Sequence, residues 1–116
     1  MPFDPGLAQL LRDDLSGEAF TEKKMFGGLC LLSPGGHMIC GLHKGGTMYR
    51  VGKDSYDTAL ALPRVRPMLM GDRPMAAMVE LSPEDSADDA LRAPVLALAL
   101  ATVRALPPKV AKPAKR

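Results

Sequence analysis

Apolar side chains at Phe3, Leu7, Leu10, Leu11 and Leu15 recur at helical spacing, with Arg12, Asp13 and Asp14 between them. This predicts an amphipathic helix over 4–16, with Asp4 as its N-cap, Pro5 at its first position and Gly17 as its stop. Residues 19–26 change to an imperfect period of two. Phe20, Glu22, Lys24 and Phe26 share one face, and Ala19, Thr21, Lys23 and Met25 the other, which indicates a strand. Short β-prone runs follow at 29–33, 37–43 and 47–52, bounded by the pairs Gly27-Gly28, Gly35-Gly36 and Gly45-Gly46. Such runs between Gly-rich turns are the mark of antiparallel hairpins. The glycine pairs supply positive φ for turns. For Gly27-Gly28, a bulge or a close backbone approach is an equal alternative.

Residues 53–62 read as a short helix, capped by Asp54 or Ser55, turning Tyr56, Leu60 and Ala59 inward and stopped by Pro63. The stretch 63–75 repeats Arg-Pro-Met at 66–68 and 73–75, and its prolines make it extended or looped. Residues 76–82 read as a strand. Ser82-Pro83-Glu84-Asp85 is a helix start, with a cap, a proline at the first position and acids that suit the helix dipole. Leu91, Val95, Leu98, Thr102 and Leu106 mark one face of a last helix. Pro94 falls inside it, so a short acidic turn at 83–89 followed by a helix to about Leu106 is the preferred reading. Adjacent hairpin-linked strands with helices at the ends indicate an α+β fold. The expected form is a two-layer sandwich, with an antiparallel sheet of about five strands and helices on one face.

The 116 residues suffice for one domain with its own core, assigned to 1–106. Residues 107–116, "PPKVAKPAKR", bury no apolar surface and form a disordered basic Lys/Pro tail by composition. The tail changes the charge picture. Without its four cations the chain holds 11 basic against 13 acidic residues, which argues against a strongly basic nucleic-acid-binding domain. A weak nucleic-acid contact through the tail is the bolder reading of those lysines, against simple solubilisation. The longest apolar run, Ala93–Val103, is too short to span a bilayer, and no targeting segment opens the chain. Two cysteines without a signal peptide suggest reduced thiols and a cytoplasmic location.

Candidate chemistry is sparse. Neither G-x-G-x-x-G nor G-x-x-x-x-G-K-[ST] occurs, and each glycine pair precedes a strand rather than a helix. No cofactor is implied. Cys30, His37, Cys40 and His43 fall within 14 residues, but on a continuous strand His37 and His43 stand roughly 20 Å apart with Cys40 facing away, so no metal site is assigned. A hairpin symmetric about Gly35 would set Cys30 opposite Cys40, and a one-residue register change would part them. No nucleophile, acid or base is singled out as catalytic. The cations Lys23, Lys24, Arg50, Arg64, Arg66 and Arg73 form either a solvated surface or a patch for an acidic partner.

"KKMFGG" (23–28), the hairpin after it, "YRVG" (49–52), "RPM…GDRPM" (66–75) and "AAMVEL" (76–81) together resemble the TfoX/Sxy N-terminal domain over most of 7–106. The resemblance implies a secretion-chaperone-like two-layer fold, α-β(3)-α-β(2)-α, and a link to bacterial regulators of natural competence. Those regulators carry a second, C-terminal domain. A Lys/Pro tail stands here instead, so a stand-alone module is implied. The family has no agreed catalytic motif, so no catalytic residue carries over. The function expected is therefore a non-enzymatic cytoplasmic regulatory or protein-binding module. Its partner is another protein or a second copy, and its contact surface includes Met25, Phe26, Gly27, Gly28, Arg50, Arg64, Arg66 and Arg73. A nucleic-acid-associated regulator and an enzyme with an unrecognised small-molecule pocket are the alternatives.

Overall fold

The structure, a computed structural model, describes residues 4–25 and 27–106. Asp4 Oδ1 accepts the Gly6 amide at 2.7 Å and starts α1, Pro5–Asp14. The helix buries Leu7, Ala8 and Leu11, and Leu15 continues the face just past its end. It stops short of Gly17, which does not take a positive φ. Phe3, Phe26 and the tail 107–116 lie outside the described residues.

Four strands follow as a meander: β1 Thr21–Met25, β2 Gly28–Leu32, β3 Met38–His43 and β4 Gly46–Arg50. A 3-10 turn at Lys53–Ser55 leads into α2, Tyr56–Leu60. The Arg-Pro-Met repeats then form a hairpin, β5 Arg66–Met70 and β6 Arg73–Leu81, turned at Gly71 with φ 68°. β6 joins β4, and the sheet is antiparallel in the order β1-β2-β3-β4-β6-β5. The architecture is the expected α+β, with six strands because the first run gives four. Both prolines are placed where a missing N–H is tolerable. Pro67 is on the edge strand, and Pro74 pairs only with Leu69, beyond the end of β4.

One glycine of each pair takes positive φ: Gly27 at 74°, Gly36 at 89° and Gly46 at 114°. Gly28 serves differently. A Cβ there would sit 2.4 Å from the Leu42 carbonyl oxygen, so β2 and β3 approach through its missing side chain. The β2–β3 hairpin is not symmetric about Gly35. Leu31 faces Cys40 and Leu32 faces Met38, which leaves Ile39 unpartnered in a bulge. Cys30 therefore stands opposite Gly41, on the other sheet face from Cys40, and both thiols are free.

One core joins the sheet to the helices. Leu29, Leu31, Ile39, Leu42, Tyr49 and Val79 meet Leu7, Leu11 and Leu15 on one side of it and Ala59, Val95 and Ala99 elsewhere. Ser82 Oγ caps the short helix α3, Pro83–Ser86, by accepting the Asp85 amide at 3.1 Å. Asp88 Oδ1 then accepts the Ala90 amide at 2.9 Å and caps α4, Asp89–Ala105. Pro94 lies within α4, where it has no N–H for the Ala90 carbonyl. The buried face of α4 is Arg92, Val95, Leu96 and Ala99, rotated from the expected one; Leu91, Leu98 and Thr102 are only half-buried.

Arg92 explains that rotation. It is 2% exposed, yet fully charged, and its fork is answered on three sides. Nε and Nη2 donate to Asp14 at 2.7 and 3.1 Å, Nη1 donates to the Ser86 carbonyl at 3.0 Å, and Nη2 also meets Asp89. The hydrogen bond to Asp14 raises the guanidinium pKa further, against the burial that lowers it. Nearby, Thr47 and Ser86 are fully buried. Ser86 Oγ accepts the Thr47 amide at 3.0 Å and donates to the Ser82 carbonyl at 2.7 Å, so Thr47 is the donor between the two hydroxyls. Tyr49 is buried beside Thr47, its hydroxyl has no well-formed hydrogen bond, and burial pushes its phenol pKa up.

Removing one side of a buried ion pair strands the other, so Arg92→Ala is expected to cost about 3 kcal/mol in urea unfolding. Asp89→Ala, at a carboxylate 85% exposed, should cost under about 1 kcal/mol. Equal costs would refute this ranking. Arg64 is the one described non-glycine residue with positive φ, at 68°. Arg64→Gly relieves that strain and is expected to stabilise by about 1 kcal/mol, because its contact with Asp85 is a 3.8 Å exposed pair. A lowered melting temperature would contradict this. On the α1 side, Arg12 Nε and Nη2 hold Glu22 at 2.6 and 2.9 Å, and this hydrogen bonding lowers the carboxyl pKa. A depressed carboxyl stabilises the fold above its unfolded pKa and loses that effect as pH falls through its folded pKa. Both side chains are about one-third exposed, so Glu22→Gln should cost only about 0.5 kcal/mol at pH 7. The difference from wild type should vanish once acid titration passes below the ordinary carboxylate range.

Candidate functional site

All the described helices pack on one face of the sheet, and the register shows what the other face carries. Directly paired residues point to the same side, so a row can be followed from strand to strand. One row crosses all six: Lys23, Cys30, Gly41, Met48, Glu80 and Arg66. On one side of it stand Thr21 opposite Leu32 and Arg50 opposite Met78. On the other stand Met25 opposite Gly28 and His43 opposite Gly46. The face thus has an apolar middle and charged ends.

The middle is shallow and close-packed. Cys30 is 4% and Met48 9% exposed, although no described helix lies over them. Gly41 makes this possible, because a Cβ there would lie 2.5 Å from the Leu29 carbonyl oxygen and 3.0 Å from Met48 Cε. The Met48 methyl group uses the space that a side chain at 41 would occupy. Burial pushes the Cys30 thiol pKa up, and the charge of Lys23 opposite it only partly opposes that. Cys40, on the helix side, is raised more strongly by burial, with the Asp14 charge adding to it. Neither thiol is poised as a nucleophile.

The polar end is a chain of three groups. Arg66 Nε donates to Glu80 Oε2 at 2.8 Å, and His43 Nε2 lies 3.6 Å from Glu80 Oε1. The Gly45 amide donates to His43 Nδ1 at 3.1 Å. That bond makes Nδ1 the acceptor, so the neutral ring carries its proton on Nε2, facing the carboxylate. His43 then has no free lone pair for abstracting a proton. Arg66 and Glu80 are joined across β5 and β6, and His43 on β3 faces that pair without a hydrogen bond to it.

The expected surface residues part company. Met25, Gly28, Arg50 and Arg66 belong to strands of the open face, and Gly27 forms the turn beside them. Arg64 lies instead in the loop after α2 and reaches Asp85. Arg73 is at the tip of the β5–β6 hairpin, past the Arg50–Met78 pair. The possible patch of Arg50 with the whole Arg-Pro-Met loop is therefore divided. Sequence reading missed Met48, Met78, His43 and Glu80 as members of one face. Their period-two spacing, Gly46-x-Met48-x-Arg50 and Met78-x-Glu80, was the available signal.

Cys30, His37, Cys40 and His43 do not converge. The cysteines are on opposite faces, His43 ends β3, and His37 precedes its start. Among the described residues no three His, Cys, Asp or Glu side chains could share a metal ion. Two open clefts flank the C-terminal half of α4. The larger, about 690 Å³, has Arg50, Lys53, Asp54, Ser55, Ala77 and Thr102 among its walls. Its Thr102 hydroxyl is already donated to the Val51 carbonyl at 2.5 Å. The smaller, about 210 Å³, lies by Glu18 and Arg104, which pair with each other. Among the described residues no helix is long and apolar enough to cross a membrane. In comparisons with known proteins, the chain matches no family model, no curated protein and no solved structure.

Proposed function

We propose that this chain is a non-enzymatic, cytoplasmic regulatory or protein-binding module of the TfoX N-terminal-domain kind, and that it meets its partner through the open face of the sheet. The observation that carries this reading is the composition of that face. A sheet face left to water is normally polar along its length. Here half-buried Leu32, Met38 and Met78 stand beside buried Cys30 and Met48, with Lys23, Arg50 and Arg66 around them. Methionine is a side chain suited to adaptable contact surfaces, because it is flexible and polarisable. Apolar centres rimmed by charge are the usual anatomy of protein interfaces.

The chemistry of the groups on this face supports the same reading. The one histidine there accepts the Gly45 amide at Nδ1 and turns Nε2 toward Glu80 without a hydrogen bond, and the thiol is held protonated by burial.

The reading is tested by affinity capture from the native cytoplasm with the wild type and two variants. Met78→Glu with Arg50→Glu changes the open face, and Arg73→Ala changes only the hairpin tip. The expected outcome is a specific partner recovered by wild type and by Arg73→Ala, and reduced about tenfold or more by the open-face variant. Equal recovery by all three, with the variants shown to be folded, would overturn the assignment of this face.

A further inference from the structure

The open face holds more positive charge than it neutralises. Lys23, Arg50 and Arg66 stand on it against one carboxylate, Glu80, and Arg66 already occupies that. Neither Lys23 nor Arg50 has an ion-pair partner among the described residues. Between them lie the half-buried Leu32 and Met38, with half-buried Met78 next to Arg50, beside the buried Cys30, Gly41 and Met48. We propose that this face receives an amphipathic helix of a partner protein whose apolar stripe is bordered by acidic side chains. The proposal rests on the open face being a protein-contact surface, and it names the chemistry of what docks there.

Three features select that occupant. A sheet buries an apolar face most readily against helices, as the opposite face of this sheet does with α1 and α4. Leu32, Met38 and Met78 keep part of their apolar surface exposed on this face, so an apolar stripe from outside has side chains to pack against. Lys23 on β1 and Arg50 on β4 are three strand spacings apart across the sheet and two residues apart along it, about 16 Å. An α-helix covers that distance in roughly eleven residues at its 1.5 Å rise. Carboxylates along its flank would answer both cations, whereas a basic helix would leave like charges facing across the contact. A second copy of this chain would bring Lys23 and Arg50 against the same positive surface unless Glu80 left Arg66.

The test uses two synthetic helical peptides of about 14 residues, enough to exceed the Lys23–Arg50 span. Both have a Leu/Met stripe, flanked by Glu in one and by Lys in the other. Each is titrated into the full chain carrying ¹³C-methyl methionine, with binding followed by anisotropy. The Glu peptide is expected to bind, to shift the Met48 and Met78 methyl signals, and to weaken with added salt. Lys23→Glu with Arg50→Glu should reduce its affinity about tenfold or more and give the Lys peptide the advantage. Equal binding of both peptides to wild type, or undiminished binding of the Glu peptide to the charge-reversed variant, overturns the proposal. If only the Lys peptide shifts Met48 and Met78, the acidic partner is refuted and the contact face stands. If neither peptide moves these signals, the helical occupant is refuted, while the capture comparison with Met78→Glu and Arg50→Glu decides the face independently.

Discussion

A guanidinium that is 2% exposed must be answered by carboxylates and carbonyls, and here the answers come from both ends of the chain. Asp14 closes α1, Asp89 opens α4, and the Ser86 carbonyl ends α3. Arg92 therefore ties the first helix to the last across 78 residues of sequence. Its position also sets the rotation of α4, because Arg92 and Val95 must face inward together. The same region holds the Thr47–Ser86 hydroxyl pair, which joins β4 to α3. One helix layer is thereby fixed against one side of the sheet, and among the described residues no helix packs on the other.

That division of labour gives the sheet two different faces. On the helix side, Leu29, Leu31, Leu42, Tyr49 and Val79 are fully or almost fully buried. On the open side the same strands carry Cys30, Gly41, Met48, Glu80 and their neighbours, small or flexible in the middle and charged at the ends. Period two makes both faces from one set of strands, so a single-residue slip would exchange them. The bulge at Ile39 takes up one such residue within β3 and leaves both Ile39 and Cys40 on the core side. It also separates the two cysteines.

Much of the fold was legible because its signals are local. Asp4-Pro5 and Ser82-Pro83 cap helices at the positions their side chains favour. The glycine pairs mark three turns, and Pro63 ends the short helix before it. The site was less legible. Arg50 and Arg66 were noticed as charges, but Arg64 and Arg73 resemble them in sequence and lie elsewhere in space. Glu80 reads as an ordinary strand acid until β5 places Arg66 beside it and β3 places His43 on its other side.

The sequence by itself determined the element types, most of their boundaries and the antiparallel α+β class, since caps, turns and periodicity act over a few residues. Tertiary structure decided which strand lies beside which, the one-residue shift between β2 and β3, and the face that α4 buries. Those outcomes depend on pairings between distant residues, such as Arg92 with Asp14 and Glu80 with Met48. The first glycine pair shows both levels. Gly27 is a local demand for positive φ, whereas Gly28 is needed because the Leu42 carbonyl, brought there by β3, leaves no room for a side chain.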